Sequence, residues 1–309
     1  MNIIGIKKKL DFSELIVHMK DKGIQFNLPS LETPEHILEH SNYYYKLSAY
    51  RSNFPKDNKG KYIHLDFQHL VDLASIDMQL RYTLLQMTLD IEHFLKTKIL
   101  ADITKSQEDG YTIVDRFSQK IGKSSESFFD HIRYASRHYN YDLYLKRKND
   151  LSIWVLFEII TFGEFVRFVE FYYEHEHQNE YIEIASIIRY VKNIRNICAH
   201  SSPILIKLNE QTLTHDRQSK YIKLFVGKVP TISKHTRKKR LENQRIHDLS
   251  ALLYCHSTYM LSSGVRKKRN DELQLIMQRI KKNIHYYNKN QLLQSIFDYI
   301  HKLVDFIVD

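Results

Sequence analysis

Apolar residues recur at three- and four-residue spacing along most of the chain, the period of helices that bury one face. The clearest run is LVDLASIDMQLRYTLLQMTLDIEHFLKTKIL, where Leu73, Ile76, Leu80, Leu84, Met87, Ile91, Leu95 and Ile99 form one unbroken stripe. It predicts a single long helix. Leu10, Leu15, Ile16 and Met19 mark a shorter helix ending at Gly23, and Thr33, Pro34 and Glu35 form a helix start that leads into HILEHSNYYYKLSAYRSNF. Residues 56–61 and 122–127 read as loops, and the aromatic residues between Phe128 and Tyr144 as further helix. Residues 151–173 and 181–199 read as two more long helices, separated by the polar EHEHQNE; helix returns over 246–261 and from Asp271 onward. The stretch 211–239 is less regular, and YIKLFVGK within it reads as a strand of a small β-hairpin.

With only 8 Gly and 5 Pro, the chain has few of the turn residues that an all-β fold needs, so the expected class is mainly α. Its 43% hydrophobic content can fill one large core or two modest ones. The most apolar candidate span, WVLFEIITFGEFVRFV, is interrupted by Glu158, Glu164 and Arg167, and no membrane segment is expected. MNIIGIKKKLDF places its lysines after its apolar residues and does not read as a secretory signal. Cys198 and Cys255 are too few for a disulfide framework or a cysteine-built zinc site; both read as small buried hydrophobes in a cytoplasmic protein.

The formal charge of +10 changes the picture, because clustered lysines and arginines attract polyanions by displacing their counterions. Two runs are dense: Arg237, Lys238, Lys239 and Arg240, then Arg266, Lys267, Lys268 and Arg269. Each alone could be a solvated helix end. Together they point to RNA or another nucleic acid as partner.

Candidate chemistry lies in RNICAH, residues 195–200. Asn196 and His200 share a helix face, Arg195 flanks them, and Ser201, Ser202 and Pro203 should stop the helix at once. An imidazole to move a proton and a guanidinium to stabilise phosphoryl charge are what RNA cleavage by 2′-hydroxyl attack requires. Spacing alone does not establish this. With 17 His in the chain, an Arg followed by a His after four to six residues is expected about 2.6 times by chance, and it occurs at Arg133/His138, Arg195/His200, Arg240/His247 and Arg279/His285. A satisfied polar helix end remains the other reading of RNICAH.

Other candidates are weaker. EHEH, at Glu174 to His177, has metal-ligand chemistry but no further ligand at defined spacing, and no metal or cofactor is expected. Tyr43, Tyr44, Tyr45 and Tyr50 could stack bases, but with Leu47 and Phe54 at helical spacing they read better as core. Gly163 in TFGEF reads as a point of close helix approach.

Four stretches, in order, resemble the Abi-like abortive-infection proteins of the AbiD and AbiF type within the HEPN superfamily: SNYYYKLSAYRSNF, LDFQHLVDLASIDMQLRYTLLQMTLDIEHFLKTKI, WVLFEIITFGEFVRF and RNICAH. The resemblance implies a HEPN-like helical bundle with additional helices: residues 1–60 as an N-terminal extension, 61–204 as the HEPN core, and 205–309 as a basic helical region. It also implies a metal-independent endoribonuclease acting in antiphage abortive infection or as a toxin, with Arg195, Asn196 and His200 as its site, completed by a second copy in a homodimer. An acidic residue of the family's long helix falls at Glu92, which could equally be a surface partner of Lys96. A toxic nuclease further implies an RNA or protein antitoxin. Where family members continue with a second histidine and an arginine, this chain reads SSPILIKLN, so substrate recognition there should differ. The alternative functions are a noncatalytic RNA-binding protein that holds a structured small RNA, and a protein-interaction module.

Overall fold

Helix α1, Phe12–Asp21, opens on a reciprocal capping box in which the Asp11 carboxylate accepts the Glu14 N–H at 2.8 Å and Glu14 accepts the Asp11 N–H at 2.9 Å. It stops before Gly23, whose φ of 87° and close approach to Tyr62 leave no room for a side chain. In this computed structural model, residues 8–176 and 181–308 are described. The chain is mainly α.

Thr33 caps α2, Pro34–His36, as its sequence predicts, and a π-helical turn over Ile37–Ser41 follows. The helix does not continue from there into the tyrosines: Asn42 is extended, and α3, Tyr44–Ala49, starts afresh. Leu47, Tyr50 and Phe54 are buried while Tyr43 and Tyr45 are exposed, so the tyrosine cluster divides between core and surface. The long helix forms as expected as α4, Phe67–Lys105, and every residue of its stripe is at most 2% exposed.

Next come α5, Thr112–Ile121, ending on the left-handed Gly122, then α6, Asp130–Arg133, and α7, Tyr141–Arg147. Where one helix is expected over 151–173, the structure has two: α8, Ile153–Ile159, and α9, Phe162–Phe171. The break comes from Thr161, which accepts the Glu164 N–H while Glu164 accepts the Thr161 N–H, a second capping box that outweighs the continuous apolar pattern. Gly163 has no close neighbour beyond Thr161, so a tight helix approach does not explain it. Gly110 is the glycine that approach requires, since a Cβ there would lie 2.3 Å from the Trp154 ring.

The α10 helix, Ile182–Ala199, carries RNICAH at its end. The expected hairpin is absent: YIKLFVGK lies in α11, Lys220–Gly227, followed by α12, Lys234–Leu241. Ile222, Phe225 and Val226 are its buried residues, at helical three- and four-residue spacing, whereas a strand would have buried alternate residues. Among the described residues, β pairing is confined to isolated bridges between Gln25 and Asp66 and between Lys56 and Tyr62. Helices α13, Gln244–Tyr259, α14, Ser263–Lys282, and α15, Gln291–Val308, complete the chain; a 3-10 turn at Ile284–Tyr287 divides what the sequence presents as one helix from Asp271.

The helices gather into two compact units. One contains the chain up to Leu85, Asn196–Ser250 and the chain from Lys267; the other contains Gln86–Arg195 and Ala251–Arg266. Within the second unit, Phe117, Phe157 and Phe168 are fully buried, with Phe168 edge-on to the other two rings at 4.9 and 5.0 Å. The first unit is tied by polar bonds to α4. Asp66, just before the helix, accepts the backbone N–H groups of Asn27 and Leu28; Asp72 accepts from Arg279, Asn283 and the Tyr287 hydroxyl. Burial, and then the charge of Asp72, push the Tyr287 phenol well above its ordinary pKa.

Removing the α9 cap should be felt locally. Thr161→Ala is expected to lower stability by about 1 kcal/mol in urea unfolding with an unchanged m value; no shift in the midpoint would show that the cap does not set the α8–α9 break.

Candidate active site

The end of α10 is a helix stop made without glycine. Ser201 adopts a left-handed backbone with φ of 52°, the Ser201 N–H bonds the Cys198 carbonyl at 3.0 Å, and the Ser202 N–H bonds the Ile197 carbonyl at 2.9 Å. These are the paired bonds of a Schellman stop. A non-glycine residue there costs about 1–2 kcal/mol, so the segment that follows must hold it in place.

It does so through Asp77. This carboxylate is fully buried on α4; its Oδ1 accepts the N–H groups of Ile204 and Leu205 at 2.8 and 2.6 Å, and its Oδ2 accepts from Arg81 Nε at 2.8 Å. One buried charge is thereby neutralised by its ion partner and by two backbone donors, the condition under which a buried ion pair persists. Asn53 then clamps the other edge of the same segment: its amide donates to the Leu205 carbonyl at 2.8 Å and accepts the Leu208 N–H at 3.1 Å. Arg245 donates to the Pro203 carbonyl at 2.9 Å. SSPILIKLN, in which Ile204, Leu205 and Leu208 are buried, is therefore a fastening strap.

The strap leaves the polar residues outside. Asn196, Ala199 and His200 are exposed, and the His200 N–H bonds the Asn196 carbonyl at 3.0 Å, so the two side chains lie one turn apart on the open face. Arg195 is half-buried, its guanidinium 5.4 Å from the centre of the Phe162 ring. Cys198 faces inward. Burial pushes its thiol up to about 12, away from the reactive thiolate form.

The competing Arg/His pairs have other work. Arg133 pairs with Asp130 at 3.0 Å, and Arg279 with Asp72 at 2.6 Å. Arg240 is buried and donates to Ser295 at 2.7 Å, while the buried His247 accepts the Ser219 N–H at 3.1 Å. Arg133, Arg279, Arg240 and His247 thus each have a structural bond that accounts for them.

The remaining candidates divide. Glu92 is paired with Lys96 at 3.0 Å, the i,i+4 partner anticipated for it. Arg237 is half-buried and Lys238, Lys239, Arg266, Lys267 and Lys268 are exposed, as nucleic-acid contacts would be. Arg240 and Arg269 do not join them: Arg240 is the buried partner of Ser295, and Arg269 is buried against Glu272 with contacts of 2.9 and 2.8 Å. Both fall on the inward face of their helices, which a run of consecutive basic letters conceals. Of EHEH, His177 lies outside the described residues. Among the described residues, no three His, Cys, Asp or Glu side chains are grouped to hold a metal ion, and no helix is long and apolar enough to cross a membrane.

Sequence reasoning missed Asp77, Arg81 and Asn53, the residues that position the site. For Asp77 a signal was present in the sequence. Asp77 lies four residues after Leu73 and three before Leu80, on the apolar stripe itself, where an unpartnered carboxylate would not be tolerated.

A mainly α protein with an exposed Asn and His at a pinned helix end is the class that fold and site define. The chain belongs to the Abi-like protein family, whose model matches residues 36–205 and so includes the tyrosine segment, α4, RNICAH and the start of the strap. No curated protein and no solved structure gives a significant match.

Losing the Asp77 carboxylate would strand Arg81 and two backbone donors in the core. Asp77→Ala is expected to cost about 3–5 kcal/mol in chemical denaturation, and a near-neutral result would refute its role as the anchor of the strap.

Proposed function

We propose that the protein is a metal-independent endoribonuclease of the HEPN type, acting in the cytoplasm in abortive-infection defence or as a toxin. The observation that carries this reading is the exposed Asn196–His200 face at the pinned end of α10, beside Arg195 in sequence. Membership of the Abi-like family supports the defence role.

In this mechanism, the His200 imidazole takes the proton of an RNA 2′-hydroxyl as the 2′-oxygen attacks the adjacent phosphorus. The bond to the 5′-oxygen breaks, leaving a 2′,3′-cyclic phosphate on one product and a 5′-hydroxyl on the other. Arg195 and Asn196 offer charge and a hydrogen bond to the phosphoryl oxygens during the step. A second imidazole from the partner in a homodimer protonates the departing oxygen. Met78 and Tyr82, 39% and 57% exposed one turn apart on α4, provide apolar surface suited to such a dimer. Glu92 contributes through its pair with Lys96. An antitoxin, RNA or protein, would restrain the activity in the host.

A second reading has its own support. The exposed Lys238, Lys239, Arg266, Lys267 and Lys268 favour RNA binding whether or not cleavage follows, so a noncatalytic protein that holds a structured small RNA uses the same surface.

Cleavage of total RNA in excess EDTA distinguishes the two. The wild type should generate 2′,3′-cyclic phosphate ends and His200→Ala none, with unchanged thermal unfolding because His200 is exposed; a cleaving His200→Ala protein would remove the catalytic assignment.

A further inference from the structure

A second concentration of charge lies along the α11–α12 pair. A cavity of about 280 Å³ opens there, lined by His215, Gln218, Lys223, Lys234, Arg237 and Lys238. Five of these six side chains are basic, and no carboxylate joins them. Among the described residues, Lys223, Lys234, Arg237 and Lys238 form no ion pair with an Asp or Glu. Leu241 and Gln218, both buried, form the inner wall, so this is a recess with a floor and not a row of surface lysines.

Local electrostatics are unfavourable as the chain stands. Ser233 caps α12 by accepting the Thr236 N–H at 3.1 Å, but the first turn holds no acid, and Lys234 begins the helix where its macrodipole is already positive. Arg237 follows one turn later. Its guanidinium comes so close to Gly227, the last residue of α11, that a Cβ there would lie 3.0 Å from Nη1. Lys223 is drawn to the same side, its ammonium donating to the His215 carbonyl at 3.3 Å. Like charges gathered around a concave space at a helix start are relieved by an anion inside it.

The shape narrows the anion. Apart from the His215 imidazole the lining holds no aromatic ring, so the recess offers charge more than a stacking platform for a base. An internal phosphodiester carries one charge and a sugar on either side, whereas a terminal phosphate carries more charge and can enter a recess end-on. We propose that this cavity binds a terminal phosphate or polyphosphate, supplied by the phosphorylated end of an RNA strand or by a free nucleotide. For the RNA source the proposal rests on the RNA-binding part of the reading above, and in neither case does it need cleavage.

The test uses the full chain and probes that cannot be cut by 2′-hydroxyl attack: a 2′-O-methyl oligoribonucleotide with a 5′-phosphate, the same strand with a 5′-hydroxyl, and inorganic tripolyphosphate. Wild type is compared with Lys234→Gln/Arg237→Gln and with the charge-matched Lys59→Gln/Lys61→Gln, with thermal melting to confirm that each variant folds. If RNA ends are the source, the 5′-phosphate strand binds about tenfold or more tighter than the 5′-hydroxyl strand, and only the cavity variant loses that difference. If free polyphosphate is the source, the strands bind alike or not at all, while tripolyphosphate binds wild type and the loop variant but not the cavity variant. Equal binding of both strands with no tripolyphosphate binding overturns the proposal, as does equal weakening by both double variants. RNA binding that fails while tripolyphosphate still binds the cavity would sink the RNA reading and leave this one standing.

Discussion

The buried carboxylate of Asp77 is the constraint on which the end of α10 depends. It faces an ion partner on its own helix, Arg81, and two backbone donors more than a hundred residues further along, Ile204 and Leu205. Such a group is costly to bury alone and specific when fully satisfied, because few other conformations can meet all its bonds. The left-handed Ser201, the Schellman bonds and the outward Asn196–His200 face follow from where it fastens the chain. Tyr50, fully buried nearby, belongs to the same environment: burial and then the Asp77 charge push its phenol upward.

Aspartate recurs in this role just before α4 and along its first part. Asp66 ties the segment at Asn27 and Leu28, Asp72 ties Arg279, Asn283 and Tyr287, and Asp77 ties the strap. The apolar stripe makes the helix a hydrophobic spine, and the carboxylates set which segments lie against it and in which register. That division of labour fits the energetics of cores: apolar burial is large but non-directional, whereas a buried polar group accepts one arrangement. The family match ends at Leu205, within this fastening.

Much of this was legible in the residues. The α4 stripe, the stop at Gly23, the Thr33 cap and α10 with its terminal motif all follow from local pattern, because each depends on residues within a few positions of one another. The failures were of two kinds. Local signals compete, as when the Thr161–Glu164 cap splits an otherwise continuous apolar pattern, or when the strand-like YIKLFVGK places Ile222, Phe225 and Val226 on one helical face. The far ends of long-range bonds gave no local sign: SSPILIKLN looks like a departure from pattern until its backbone donors are seen on Asp77 and Asn53. The inward turn of Arg240 and Arg269 within basic runs belongs to the second kind, being decided by Ser295 and by burial.

The most direct test is amide hydrogen exchange on the wild type and Asp77→Asn, read at the peptide that spans Ser201 to Leu208. If Asp77 fastens the strap, the amides of Ile204 and Leu205 lose protection in the variant, and the loss spreads to the Schellman bonds at Ser201 and Ser202 while α1 keeps its protection. Unchanged protection across that peptide would contradict the account, because the end of α10 would then be held by something other than the buried carboxylate.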